Sequence, residues 1–231
     1  MSGRSPRWFT GIKYPYEANF ADNTWAQVIA ACQKKRIPST WKVADQKAMT
    51  INGTDYLIDI IGFDHDEYTD GSGKAPITFQ MHDCYVDKKA MNSSNTNVGG
   101  WESCSMRTTH LPAILALMPT EVQNGIREVN KLTSEGNKSS VITTTADKLF
   151  LLSEIEIFSS VRDSKSGEGT HYDYYKTGDS KVKKLNGSAA NWLERSPSAI
   201  YSTSFCLVTS SGDTGVDFAS RASGVAFGFC F

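Results

Sequence analysis

Histidines, cysteines and carboxylates are the side chains of this chain that could act on a substrate, and their spacing limits what they can do. Four histidines (His65, His82, His110 and His171) are scattered over 231 residues. The run Asp64-His65-Asp66-Glu67, with His82-Asp83 further on, supplies ligand types suited to a divalent metal. Three ligands at helix or strand spacing are absent, so a solvated acidic loop with a structural histidine is the simpler expectation, and no metal is expected. Cys32, Cys84, Cys104, Cys206 and Cys230 form an odd set without a C-x-x-C pair, which argues against zinc and favours free buried thiols. Cys84 or Cys104 with His82 or His110 is a formal thiol–imidazole nucleophile, but packed thiols are the plainer reading. No G-x-S-x-G, Walker loop or G-x-G-x-x-G occurs, so a strained serine turn and a nucleotide-cofactor cradle are both missing. Trp101-Glu102 after Gly99-Gly100 reads as a helix-start anchor rather than a sugar-stacking platform. Glu194-Arg195-Ser196-Pro197 reads as a charged pair beside a proline that turns the chain out of a strand. The expectation is a protein without enzymatic activity and without a cofactor.

The elements that must position these residues come from a chain of ordinary globular composition, 39% hydrophobic and 21% charged, able to bury a core without staples. With 24 basic against 25 acidic residues and no basic stripe, nucleic acid is not an expected partner. No run of eighteen apolar residues exists, so membrane insertion is not expected either. The basic start, Met1 to Arg7, lacks the apolar stretch of a secretory signal, and residues 1–19 read as a leader or linker ahead of one domain over 20–231. Asp22 or Asn23 is the expected cap of a helix through Trp25, Val28, Ile29 and Cys32, ended by Pro38. Asn52-Gly53 between Ala48-Met49-Thr50-Ile51 and the run 54–61 predicts a hairpin, because both turn residues accept positive φ. Residues 77–81 predict a strand, 86–100 a polar loop, and 101–132 a helical centre whose second helix starts at Pro119-Thr120-Glu121 and carries Val122, Ile126 and Val129. A polar turn follows at 134–140. Residues 148–158 predict a strand and 159–188 a surface loop. Residues 205–208 and 225–231 predict core strands, the second tying the C-terminus into the sheet. The order fits α+β.

Residues 198–224 have a different character. Their flanks, Asn191-Trp192-Leu193-Glu194-Arg195-Ser196-Pro197 and Gly224-Val225-Ala226-Phe227-Gly228-Phe229-Cys230-Phe231, are apolar and well specified. Between them Lys, Glu, Gln, Met and Trp are all missing, although the rest of the chain uses them freely. Small polar residues with a few Tyr, Phe, Ile, Leu, Val and Arg anchors make up the segment, a palette suited to recognition. The expectation is a variable surface held between fixed core strands, serving binding rather than catalysis.

The motifs W-L-E-R-S-P, F-C-x-V and G-V-A-F-G-F-C-F resemble the C-terminal signature of a C-type-lectin-like family from phages and prophages of gut bacteria. The stretches M-T-I-N-G-x-x-Y-x-I-D-I-I-G, T-F-Q-M-H-D-C-Y, M-N-S-S-N-T-N-x-G-G-W-x-S-C-x-M-R-T-T-H-L-P-A-I-L-A-L-M-P and T-A-D-K-L-F-L-L-S-E-I-E-I-F extend the resemblance over about residues 20–231. Such proteins resemble the variable proteins of diversity-generating retroelements. In these, error-prone copying at template adenines rewrites chosen codons, and an Asn codon so mutated cannot yield Lys, Glu, Gln, Met or Trp.

The resemblance implies a C-type-lectin-like fold, with a small twisted antiparallel sheet, two flanking helices and long loops. It implies a phage receptor-binding or tail-tip adhesin on the virion that attaches to a receptor, protein or glycan, on a bacterial host. Homo-oligomerisation, a trimer in the form considered, and contact with other tail proteins go with it. The implied ligand contacts are Ala199, Ile200, Tyr201, Thr203, Ser204, Leu207, Thr209, Ser211, Asp213, Thr214, Val216, Asp217, Phe218, Ser220, Arg221 and Ala222. Tyr201, Phe218 and Arg221 are the hot spots expected by residue type. Two other readings stay open: a prophage or bacterial surface glycan-binding module, for which Asp213 and Asp217 make a poor calcium cluster, and a cysteine-dependent oxidase of sulfatase residues, as hosted by related lectin-like folds, using Cys206 and Cys230.

Overall fold

The computed structural model describes residues 16–231. Most of the expected leader therefore lies outside the described residues, while residues 16–19 are part of the body. The Tyr16 ring meets Trp41 at 6.5 Å, and the Glu17 carbonyl accepts a 3.1 Å hydrogen bond from Trp41 Nε1.

The first helix, α1 (Trp25–Gln33), is capped by Thr24 and not by Asp22 or Asn23. Thr24 Oγ1 accepts from the Gln27 N–H at 3.2 Å while Gln27 Oε1 accepts from the Thr24 N–H at 2.8 Å, which is a reciprocal capping box. Asn23 is buried instead, its amide donating to the carbonyls of Glu17, Asn19 and Phe20. The helix ends at Lys34, before Pro38 is reached. Asn52 and Gly53 take the positive φ values of 49° and 78° that a tight hairpin needs. They join β1 (Gln46–Ile51) to β2 (Thr54–Phe63), and β3 (Ile77–Met81) follows, buried throughout.

The central segment is a series of short helical pieces: α2 (Gly100–Ser103), a wide turn over Met106–His110, α3 (Leu111–Leu115) and α4 (Thr120–Gly125). The second helix stops earlier than its apolar spacing predicts. Ile126 caps it in an extended conformation, and Val129 opens β4 (Val129–Ser134), which pairs with β5 (Ile142–Asp147) across the expected polar turn.

The predicted strand over 148–158 is corrected. Only β6 (Leu149–Phe150) is strand, and α5 (Glu154–Phe158) is helix. Ser153 and Glu156 form a second capping box there, with Glu156 Oε2 accepting from the Ser153 N–H at 3.0 Å. The alternation of Glu and Ile resembled a strand, but local capping decided the conformation. The expected surface loop 159–188 is also corrected. It contains α6 (Asp173–Lys176) and β7 (Lys183–Leu185), which pairs with β8 (Ser188–Ala190), and it buries Ser164, Glu168, Tyr172, Tyr174 and Tyr175. The tail forms β9 (Trp192–Pro197), β10 (Ser204–Val208), β11 (Thr214–Phe218) and β12 (Gly228–Cys230).

Antiparallel pairing organises these strands into a five-stranded sheet of order β1-β2-β3-β12-β6, a three-stranded sheet β11-β10-β9, and the hairpins β4-β5 and β7-β8. The fold is α+β, built mainly of small antiparallel sheets with short helices. The last strand lies inside the main sheet, between β3 and β6, as its apolar run predicts. Phe20, Trp25, Phe79, Phe229 and Phe231 form an aromatic core there, with ring centroids 5.3 to 6.5 Å apart in tilted, edge-on and stacked pairs. Tyr68 Oη donates to the Phe231 carbonyl at 2.5 Å, so the end of the described chain is pinned by a polar contact as well.

Candidate functional site

The groups with chemical potential are taken up by structure. His82 Nδ1 lies 2.9 Å from Asp59 Oδ2, and this hydrogen bond raises its pKa. His65 stacks on Tyr172 at 3.8 Å. Asp66 does not belong to a solvated loop: it is buried, and Lys131 Nζ lies 2.8 Å from its Oδ1. All five cysteines are free and buried, and burial pushes the thiols of Cys84 and Cys104 up to about 11 and about 12. Cys206 and Cys230 are displaced upward by burial too, away from the thiolate a nucleophile requires. Among the described residues no three His, Cys, Asp or Glu side chains stand close enough to hold a metal ion.

Glu194 and Arg195 are not partners. The Arg195 guanidinium is taken by Glu156, and neither Glu194 oxygen has a hydrogen-bond partner among the described residues. Arg195, fully buried, reaches Glu156 through Nη1 (2.5 Å to Oε2) and Nη2 (2.8 Å to Oε1), and also donates to the Leu151 and Glu168 carbonyls. Lys131 bridges Glu156 and Asp66, and Tyr172 Oη donates to Asp66. Burial raises both carboxyls, but Lys131 lowers Asp66 and Arg195 with Lys131 lowers Glu156, leaving both below the ordinary carboxylate range.

The tail segment has a different geometry. Ile200, Tyr201 and Phe218 are about half exposed, at 48%, 54% and 48%, which is high for large apolar side chains. Ser211, Asp213, Ser220, Arg221 and Ala222 are exposed, and Ala199, Thr203, Thr209, Thr214, Val216 and Asp217 are half-buried. Two expected contacts are corrected. Ser204 and Leu207 are buried, because β10 is the middle strand of its sheet and both its faces are covered. The Ser204 carbonyl accepts from Asn97 and from the Ser198 N–H, and Leu207 packs beneath Gly215. β11 forms the outer edge, with Thr214 to Asp217 half-buried and Phe218 exposed. The loop 209–213 closes on itself: Asp213 N–H donates to Thr209 Oγ1 at 3.0 Å, and Ser211 Oγ donates to Asp213 at 3.0 Å. Arg221 lies 3.3 Å from Asp217, and both border a groove of about 360 Å³ with Lys88, Ala189 and Asn191.

The support beneath this face comes from the polar loop at 86–100, which composition alone marked only as a loop. Asn97 is fully buried. Its Nδ2 donates to the carbonyls of Ser198 (3.2 Å), Tyr201 (3.1 Å) and Ser204 (2.7 Å), and its Oδ1 accepts from the Asn137 N–H at 2.8 Å. Asn95 Oδ1 accepts from Ser220 Oγ at 2.5 Å, and the Asn92 N–H donates to the Ala219 carbonyl. The signal in the sequence was the spacing of three asparagines in one loop, side chains able to mimic backbone partners.

A family described as a domain of unknown function (DUF6273) matches residues 77–227, well over half of the chain, from β3 to the residue before β12. No curated protein and no solved structure matches the chain.

Proposed function

The chain belongs to the DUF6273 family, and from that premise we propose that it is a phage receptor-binding or tail-tip adhesin that displays a diversified face to a bacterial surface. One observation carries the reading. The segment restricted to codon-accessible residue types, 198–224, places all of the expected contacts except Ser204 and Leu207 at partly or fully accessible positions, while its flanks 192–197 and 225–231 are buried. This supports a division between conformation and recognition: surface changes away from special features typically cost within about 0.5 kcal/mol, so such a face tolerates replacement. The motif resemblance supports a C-type-lectin-like fold and a retroelement variable protein, with the virion as its place and a homo-oligomer, a trimer, as the form that adds avidity to weak single sites. On this reading the protein is not an enzyme.

The test is binding of the purified protein to intact bacterial cells, for wild type and for a Tyr201→Ala, Phe218→Ala, Arg221→Ala triple variant. Loss of at least about 30-fold in affinity, near 2 kcal/mol, with an unchanged melting temperature is expected. Parallel loss of binding and melting temperature overturns the assignment. At the encoding locus, a near-copy of the 3′ end with Asn codons at the contact positions, beside a reverse transcriptase, is expected. The groove beside Asp217, Arg221 and Asn191, whose mixed lining sets these polar side chains among alanines, favours a second reading as a lectin-like glycan-binding module. Calcium-dependent binding on a glycan array favours the second reading, and calcium-independent binding to intact cells favours the first.

A further inference from the structure

Three carboxylic acids, Glu154, Glu168 and Glu194, are fully buried around β9, and the one in that strand has no ion-pair or hydrogen-bond partner among the described residues. Glu194 is fully buried, and among the described residues neither of its carboxyl oxygens has a hydrogen-bond partner. It sits where the β9–β10 register slips: Glu194, Arg195 and Ser196 together oppose Cys206 alone, between the pairs Leu193–Leu207 and Pro197–Phe205. Two residues along β9, Ser196 Oγ accepts from the Glu154 N–H of α5 at 3.0 Å and donates to Glu168, which brings both acids to this part of the strand. Cys206 from β10 and Tyr175 from α6 are further titratable groups whose pKa Glu194 influences, and Arg195 is the cation next to it in sequence. The nearby cations pair with other acids: Arg195 with Glu156, Lys131 of β4 with Asp66 and Glu156, and Arg162 with Asp163. Lys183 donates to the carbonyls of Met81 and His82.

The other two acids have donors, and these donors tie the cluster to the accessible face. Glu154 accepts from the N–H groups of Arg162 (3.1 Å), Asp163 (3.1 Å) and Ser164 (2.8 Å) and from Ser164 Oγ (2.6 Å). Glu168 accepts from the Ser134 N–H and from Ser196 Oγ. The segment so held clamps the tail at two points: the Asp163 carbonyl accepts from the Ala199 N–H at 2.7 Å, and Arg162 Nη1 donates to Thr214 Oγ1 at 3.0 Å. We propose that Glu194 is a proton-holding switch, seated as the neutral acid, whose ionisation loosens residues 159–168 and through them the anchoring of Ala199 and Thr214. An isolated carboxylate without donors in an apolar interior is far costlier than the neutral acid, and two neighbouring carboxylates add to that cost. Burial, then Glu154 and Glu168, hold the Glu194 carboxyl well above its ordinary range. When the segment opens, the proton passes to water. The device works whatever the face binds.

The test compares wild type with Glu194→Gln, the neutral near-isostere of the protonated acid, by hydrogen exchange and thermal melting between about pH 5 and about pH 9. In wild type, protection factors over 159–168 and 198–218 are expected to fall by roughly tenfold or more as pH rises, tenfold corresponding to one unit of pKa difference. In Glu194→Gln they are expected to stay within about threefold, with a melting temperature above wild type at the alkaline end. Infrared spectra of wild type near neutral pH should contain the carbonyl band of a protonated carboxylic acid that Glu194→Gln lacks. Equal pH slopes in the two proteins, absence of that band, or a Glu194→Gln variant that is less stable throughout or fails to fold would each overturn the proposal.

Discussion

Asn97 carries more of the candidate face than any residue in it. A single buried amide satisfies three carbonyls of residues 198–204 and receives a donor from the β4–β5 turn. Removing it takes the amide donor from the Ser198 carbonyl and leaves Tyr201 and Ser204 with backbone donors alone, so Asn97→Ala is expected to lower stability by about 1–3 kcal/mol and to weaken binding through disorder of the loop. Chemical denaturation checks the first effect, and exchange protection at 198–204 checks the second. Arg195 works in a similar way at the centre of the molecule. Arg195→Met leaves Glu156 with Lys131 as its only remaining cation among the described residues and is expected to destabilise by about 3–5 kcal/mol, measured by urea unfolding. Neither role was legible from residue type. Adjacency suggests Glu194 as the partner of Arg195, but the guanidinium turns to Glu156, 39 residues away in sequence, which no local pattern reveals.

At the scale of elements, local chemistry set the boundaries. The hairpin β1–β2 was legible because Asn52-Gly53 admits one kind of turn. The helix at Glu154–Phe158 was not, because its five residues show too little period to separate helix from strand, and the Ser153–Glu156 box decided the matter. The start of α1 was misplaced by one or two residues for a related reason: Asn23, a good cap by type, found better use for its amide in the preceding turn. Thr24→Ala is expected to cost about 1 kcal/mol, seen as a lower denaturation midpoint with unchanged slope. The β4–β5 turn also has a strict steric requirement. A Cβ on Gly136 would lie 1.7 Å from the Asn97 carbonyl oxygen, and its φ is +73°. Gly136→Ala is expected to destabilise by more than about 1 kcal/mol and to displace Asn97, lowering binding as well, which thermal melting and the cell-binding measurement read together.

For the whole molecule, buried charge divides into two halves with opposite pH responses. Asp66 and Glu156 are held below the carboxylate range by Lys131 and Arg195 against the effect of burial. Their contribution is present above the unfolded pKa of about 4 and is lost as pH falls through the folded values. Glu194 and Glu168 are shifted upward, chiefly by burial. Their contribution is present below about pH 4.3 and declines as pH rises toward the folded values. Stability is therefore expected to peak on the acidic side of neutrality and to fall on both sides, a profile that melting temperature against pH will trace. A maximum well above neutral pH would contradict this division.

The sequence by itself determined the α+β class, the hairpin, the burial of the five cysteines and the apolar strands that bracket residues 198–224. Each of these follows from patterns read within a few residues: turn chemistry, apolar runs and the types that are missing. Only the tertiary structure decided which members of that segment face outward. Ser204 and Leu207 carry the same kinds of side chain as their exposed neighbours, yet β10 is the middle strand of its sheet and they are covered. The tertiary structure likewise decided that Arg195 meets Glu156 and that Glu194 meets Glu154 and Glu168. Which charges neutralise one another in an interior depends on which faces pack together, and strand alternation and sheet order set those faces across separations of about forty residues between Arg195 and Glu156.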